Sequence, residues 1–407
     1  MAARVDLEFV RDQFPAFART DGAFFENAGG SFPCRQVIDR LTSFYEDSKV
    51  QPDHPYLVAQ RAGEAMREGP ARLAAWLGVP AEDVHVGPST SQNTYVLAHA
   101  FAQVLHDDAA VVVTQQDHEA NSGPWRRLAE RGVEIREWEV DARSGALDVE
   151  RLDGLLDERV AVVAFPHVSN ILGQRNDVAA ICERVHDVGA VAVVDGVAAA
   201  PHGVPDVAAL GADVYLFSTY KTYGPHQGVL VAGRELVERF PNQGHFFNAD
   251  QVGKRLVPAG PDHAQVAALG GIVDYLELSD EHHAGDDRAD ARTSAGRVAE
   301  LWHDHEQALL EPLLAFFQER DDVRIVGPEE AEGRVPTVSI ETAHDGAELA
   351  AALARHGVWC GGGHFYAYRL VEALGIDPAK GVTRFSAVHN TSADEIARLI
   401  GALEQEL

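Results

Sequence analysis

Lys221 stands in the run DVYLFSTYKTYGPHQGVLVAG and is one of only four lysines among 34 basic residues, the others being Lys49, Lys254 and Lys380. The chain writes arginine wherever a generic positive charge will serve. A lysine between two apolar runs, residues 214–217 and 229–232, points to a task that arginine cannot perform. A buried ammonium can lose its proton and become a nucleophilic amine, whereas a guanidinium keeps its charge. The main use of such an amine is a Schiff base with a carbonyl, often that of pyridoxal 5'-phosphate (PLP). The plainer alternative is a surface lysine in a strand-to-loop turn.

Other polar residues gather just after apolar runs, where an open α/β sheet builds its ligand site. The run ending at Val86 leads into GPSTSQNT, and free N–H groups at the helix start, with Thr90 and Ser91, make an anion cradle suited to phosphate. The run ending at Thr114 leads to His118, a group able to stack on a ring and shuttle protons. The run ending at Phe165 leads to Asn170, a hydrogen-bond partner for a ring oxygen and for substrate. The run ending at Val194 leads directly into Asp195, a carboxylate placed to pair with a protonated pyridine nitrogen. Taken singly, each has a plainer reading: a helix cap, a solvated loop histidine, a turn residue, a strand-end turn former. Together they make the parts of a PLP site, with Lys221, His118 and Asp195 as the catalytic set.

Elements that position these residues are legible as well. Apolar, mostly valine-rich runs at 110–114, 160–165, 190–194, 214–217 and 229–232 read as strands buried on both faces. Helical spacing at 94–105, 124–131 and 177–188 lies between them. That alternation predicts an α/β fold with a mostly parallel sheet. After about residue 265 the pattern changes to helices at 264–278 and 295–319, separated by the polar stretch 279–294, read as a solvated loop or helix start. A compact α+β lobe follows, with strands at 323–326, 337–341, 358–360 and 382–386 and helices at 346–356 and 392–407. The expected division is a large domain, residues 21–265, and a small C-terminal one, residues 266–407 with 1–20.

Composition narrows the partners. At 407 residues and 46% apolar content the chain can bury a large core, and no run approaches a membrane span. A net charge of −29 argues against nucleic acid and anionic membranes, with salt adaptation as one reading of the acidity. The N-terminus shows no secretory pattern, which predicts a cytoplasmic protein. Cys34, Cys182 and Cys360 are scattered, so neither a disulfide framework nor a metal site is expected. No strand is followed by GxGxxG, which speaks against a NAD-binding Rossmann protein. An idle scaffold or regulator on the same fold is the rival from another class, and the intact Lys221, Asp195 and His118 set speaks for an enzyme.

With these residues in view, the chain resembles class V aminotransferase-fold proteins of the cysteine desulfurase group from residue 24 to the C-terminus. FFENAGGS, DHEANSGPW, HVSNILG, VDGVAAAPHGVPDV, FSTYKTYGPHQGVL and RFSAVHNTSADEI carry the likeness. The resemblance implies PLP fold type I, PLP as cofactor and an amino-acid substrate, with an active site shared in a homodimer. It puts ring stacking on His118, the ring-oxygen contact on Asn170, the pyridine nitrogen on Asp195 and the Schiff base on Lys221. Thr90, Ser91, Ser218 and Tyr220 fall on the phosphate side. It puts the substrate carboxylate on Arg384, whose fork pairs bidentately with such a group. Asn27, Asn170, His364 and Tyr366 fall beside the substrate.

Departures from the group bear on the reaction. The segment GVWCGGGHFYAYRL places Tyr366 where desulfurases carry their attacking cysteine, and Cys360 lies six residues earlier. Gly361 stands in place of a loop arginine, Ala198 in place of a glutamine and Tyr220 in place of a histidine, while AGPDH at 259–263 lacks the threonine that reaches the partner's phosphate. The loop 359–367 and the segment GHFFNAD (244–250) resemble a branch that lacks the desulfurase cysteine, with His245 or Phe246 bordering the neighbouring subunit's site. The expected chemistry is at Cα or Cβ of an amino acid, foremost C–S β-elimination from a cysteine derivative. Transamination or another Cα reaction (epimerisation, decarboxylation-type) comes second and desulfuration through Cys360 third.

Overall fold

A computed structural model describes residues 4–285 and 289–407. Residues 1–3, part of the stretch assigned to the small lobe, and residues 286–288, part of the polar stretch 279–294, lie outside the described residues.

The strands in chain order are β1 (Ala23–Phe24), β2 (Val84–Gly87), β3 (Ala110–Thr114), β4 (Glu134–Trp138), β5 (Val160–Pro166), β6 (Val191–Asp195), β7 (Val214–Ser218) and β8 (Gly228–Ala232). The C-terminal part adds β9 (Arg324–Val326), β10 (Thr337–Glu341), β11 (Val358–Trp359), β12 (Gly361–Gly363) and β13 (Val382–Ser386). The main sheet has the order β2-β8-β7-β6-β5-β3-β4. Only β8 runs against its neighbours, being antiparallel to both β2 and β7. Every residue of β3, β6, β7 and β8 is buried, because helices cover both faces.

β4 has no continuous apolar run. Its sequence EIREW lies at the sheet edge with only Trp138 buried, so charged residues interrupt the pattern that marks the other strands. The helix expected at 124–131 instead starts earlier, as Glu119–Arg126, and passes into a 3-10 turn over Arg127–Arg131. His118 caps it, its Nδ1 accepting from the Ala120 N–H at 3.0 Å. The helix expected at 94–105 likewise starts earlier and spans Thr90–Phe101, with the Ser89 hydroxyl accepting from the Gln92 N–H. Residues 279–284 are not loop: the helix His263–Ala284 continues through them. It packs against Arg35–Asp47 and Leu57–Leu77, two helices outside the apolar-run reading.

The C-terminal sheet, β12-β13-β10-β9, is antiparallel throughout. Its last helix, Ala393–Glu406, carries a capping box formed by Ser392 and Glu395. β1 pairs with β11, so the segment leading into FFENAGGS is bound to the C-terminal lobe. No helix among the described residues is long and apolar enough to cross a membrane.

Candidate active site

The C-terminal ends of β3, β5, β6 and β7 converge with the start of Thr90–Phe101 on one cavity. Thr90, Ser91, His118, Asn170, Asp195, Ser218, Tyr220 and Lys221 all line it. So does Asp117, which sequence reasoning missed.

Lys221 ends the short turn that follows β7 and is 8% exposed. Burial and the nearby Arg384 charge bring its ammonium down to about 8, against the pull of Asp195 and Glu26. A neutral amine is thereby within reach near physiological pH. Asp195 ends β6, and its Oδ1 accepts from the Val197 N–H at 2.8 Å. Burial pushes its carboxyl up to about 6. Asp117 is more strongly raised, first by burial and then by Asp195, so two acids share one dry region. The Oδ2 of Asp117 accepts from Asn121 Nδ2 at 3.1 Å and Thr114 Oγ1 at 3.3 Å, while Oδ1 has no partner among the described residues.

Burial, followed by Lys221 and Arg384, takes His118 down to about 3, so the imidazole is neutral at ordinary pH. Because Nδ1 accepts from Ala120, the ring proton sits on Nε2. The Tyr366 ring lies 5.2 Å from His118, tilted by 35°. The backbone oxygen of Tyr366 accepts from the Glu119 N–H at 2.8 Å, and Arg369 pairs with Glu119, which docks the loop on the His118 helix. Asn170 Nδ2 donates to the Phe365 carbonyl at 3.0 Å, and Asn170 Oδ1 is buried without a partner among the described residues.

At the other end of the cavity, Thr90 Oγ1 and Ser218 Oγ are 2.7 Å apart. Gly228 makes this close approach possible: a Cβ there would stand 2.2 Å from the Ser89 carbonyl carbon and 2.3 Å from the Thr90 nitrogen. Tyr220 stacks on His226 with centroids 4.5 Å apart.

Four expected substrate residues are not among those lining the cavity. Asn27 spends its amide on backbone, donating to Ser386 O at 3.0 Å and Phe24 O at 3.4 Å, with its Oδ1 accepting from Ser31. Arg384, on β13, is paired with Glu26 at 2.6 Å. His364 Nδ1 accepts from the Tyr366 N–H. Tyr366 itself is 68% exposed. Glu26 was also missed in the sequence; its adjacency to Asn27 is the only signal that marks it. Cys360 is half-buried, and burial and then Glu26 push its thiol up to about 12.

The family model for "Aminotransferase class-V" matches residues 23–251. The chain belongs to the class V aminotransferase family. Over 98% of its length this class V protein is 32% identical to "Aminotransferase-like protein FGM3" of Gibberella zeae, of which 98% is covered. It is 30% identical to a "Probable cysteine desulfurase" of Streptomyces coelicolor, covering 98% of this chain and 97% of that one. Among solved structures, the cysteine desulfurase of Thermococcus onnurineus NA1 superposes with a TM-score of 0.87 at 23% identity, over 100% and 99% of the two chains. The cysteine desulfurase CsdA of Escherichia coli gives 0.83 at 22%, over 99% and 98%. The fold is PLP fold type I. This is a PLP-dependent enzyme, and its cavity fits the cofactor: a hydroxyl cradle at a helix start, a buried lysine of lowered pKa and a buried carboxylate at a strand end.

Proposed function

We propose that this enzyme cleaves the C–S bond of a cysteine derivative by β-elimination. The observation that carries this reading is the loop over His118, which presents Tyr366 and no thiol. Bound PLP supplies an electron sink for a carbanion at the substrate α-carbon. Lys221 would hold the cofactor and, as a neutral amine, would serve as the base for the substrate α-proton. Asp195 keeps a proton on the pyridine nitrogen. His118 covers the ring with its proton on Nε2, and Asn170 holds the ring oxygen. Thr90, Ser91, Ser218 and Tyr220 hold the phosphate. Arg384 takes the substrate carboxylate, and Tyr366, His364 and Asn27 belong to the substrate side.

Transamination or another Cα reaction is the second reading, supported by the aminotransferase-like relative at 32% identity. Desulfuration is the third, supported by relatives named cysteine desulfurases and opposed by a Cys360 thiol held protonated. A screen of S-substituted cysteines separates them. Pyruvate with thiol release supports elimination; a keto acid with amino-group transfer to PLP and no thiol rejects it.

A cytoplasmic homodimer belongs to the same proposal. Phe246 and Phe247 are 87% and 67% exposed, which supports contact of segment 244–250, through His245 or Phe246, with a second copy. Sedimentation of the holoenzyme as a monomer would reject it. The two-lobe division, residues 21–265 against 266–407 with 1–20, belongs to the same proposal, its boundary falling near the start of the helix His263–Ala284.

A further inference from the structure

Arg384 is 2% exposed, and its guanidinium is already engaged. Nη2 donates to Glu26 Oε1 at 2.6 Å and Nη1 to the Asn170 carbonyl at 3.2 Å. The Phe365 ring covers one face, its centroid 3.8 Å from Cζ. Asn170 lines the cavity and Arg384 does not, so the arginine sits just behind the cavity wall. Glu26 Oε2 and Arg384 Nε are buried with no hydrogen-bond partner among the described residues. The cover is held in a costly conformation: Phe365 and Tyr366 have φ of 46° and 59°, successive left-handed positions without glycine. Gly361 leaves the room for both groups, since a Cβ there would meet Glu26 Oε2 at 2.7 Å and Phe365 Cε1 at 2.8 Å.

We propose that Glu26 is a built-in competitor for the substrate α-carboxylate: it occupies Arg384 in the free enzyme, and an amino acid binds by displacing it and the Phe365 cover. This rests on the reading of Arg384 as the carboxylate contact. A buried guanidinium left without an anion is strongly destabilising, so Glu26 neutralises it until substrate arrives. The exchange replaces one carboxylate with another and gains mainly from better geometry. Arg384 Nε and the remaining Nη hydrogens offer the two parallel bonds that a bidentate carboxylate takes. An amine without a carboxylate has nothing to exchange. Glu26 therefore sets how sharply the enzyme separates amino acids from amines.

The test titrates the PLP-loaded full chain with S-methyl-L-cysteine and with 2-(methylthio)ethylamine, which lacks only the carboxylate. Binding is read from the visible absorbance change before turnover. Glu26→Gln should lower the half-saturating concentration of the amino acid about tenfold and leave that of the amine unchanged. Glu26→Asp keeps the charge but withdraws it by one methylene, and should shift the amino acid alone, in the same direction and by less. It serves if the glutamine variant fails to fold. If the native enzyme prefers the amino acid, and the variants leave that preference unchanged or weaken it, Glu26 only orients Arg384 and the proposal is overturned while the arginine reading stands. If the native enzyme and both variants bind the two probes alike, the arginine reading falls, and this inference with it.

Discussion

Thr90 and Ser218, 128 residues apart in sequence, are joined by a 2.7 Å hydrogen bond between their hydroxyls. Thr90 is the first residue of its helix, and Ser218 is the last of β7, three residues before Lys221. The helix start proposed to hold the phosphate is thus tied to the strand that leads into the lysine, and Gly228 sits opposite Ser218 in the neighbouring strand.

Gly228→Ala should therefore damage both stability and cofactor binding. Its Cβ would clash with backbone, which cannot move aside as a side chain can. We expect a loss of about 1–3 kcal/mol, read as a lower melting temperature of the cofactor-free chain, together with weaker PLP binding in an absorbance titration.

Capture of PLP should depend on pH through Lys221. The amine reacts only when neutral, and its folded pKa lies at about 8 rather than 10.5. The rate at which the cofactor-free protein gains visible absorbance should rise as pH passes through about 8 and level off above it. Lys221→Arg should abolish the absorbance and lower turnover by at least about 10²–10⁴-fold.

Asp195 should make the cofactor-free protein less stable as pH rises. Its carboxyl is raised from 3.8 to about 6, so the folded state favours the protonated form. The resulting stabilisation is present below 3.8 and is lost as pH climbs through about 6. Melting curves should show this decline, Asp195→Asn should flatten it, and bound PLP should offset it by pairing the carboxylate.

Cys360→Ser should leave turnover within about twofold, because a thiol of pKa about 12 offers almost no thiolate at neutral pH. A large loss of sulfur release would favour desulfuration instead.

Tyr366→Phe should lower thiol release by roughly a hundredfold, the scale of a lost acid–base group, with the visible spectrum intact. Unchanged turnover would make Tyr366 a packing residue.

Much of this site was legible because burial leaves a local trace. A strand covered on both faces is written as a valine run, and the polar residue that ends it falls at the sheet's ligand-binding edge. Asp195 and Lys221 could be found that way, as could the turn at Thr90. β4 escaped the same reading because an edge strand tolerates charge. The helix 119–126 was placed late because a histidine caps it, a residue that also carries chemistry.

The sequence by itself determined the fold class, the cofactor and eight of the residues that line the cavity, since each rests on a pattern a few residues long. Only the tertiary structure decided what those residues meet. Glu26 and Arg384 are 358 positions apart, and their pairing depends on β1 joining β11 and on β13 passing behind Asn170. Asp117 beside Asp195, and Tyr366 over His118, likewise arise where separate strand ends and loops converge. Such contacts leave no local trace, because a side chain's partner is set by the packing of whole elements and not by its neighbours in the chain.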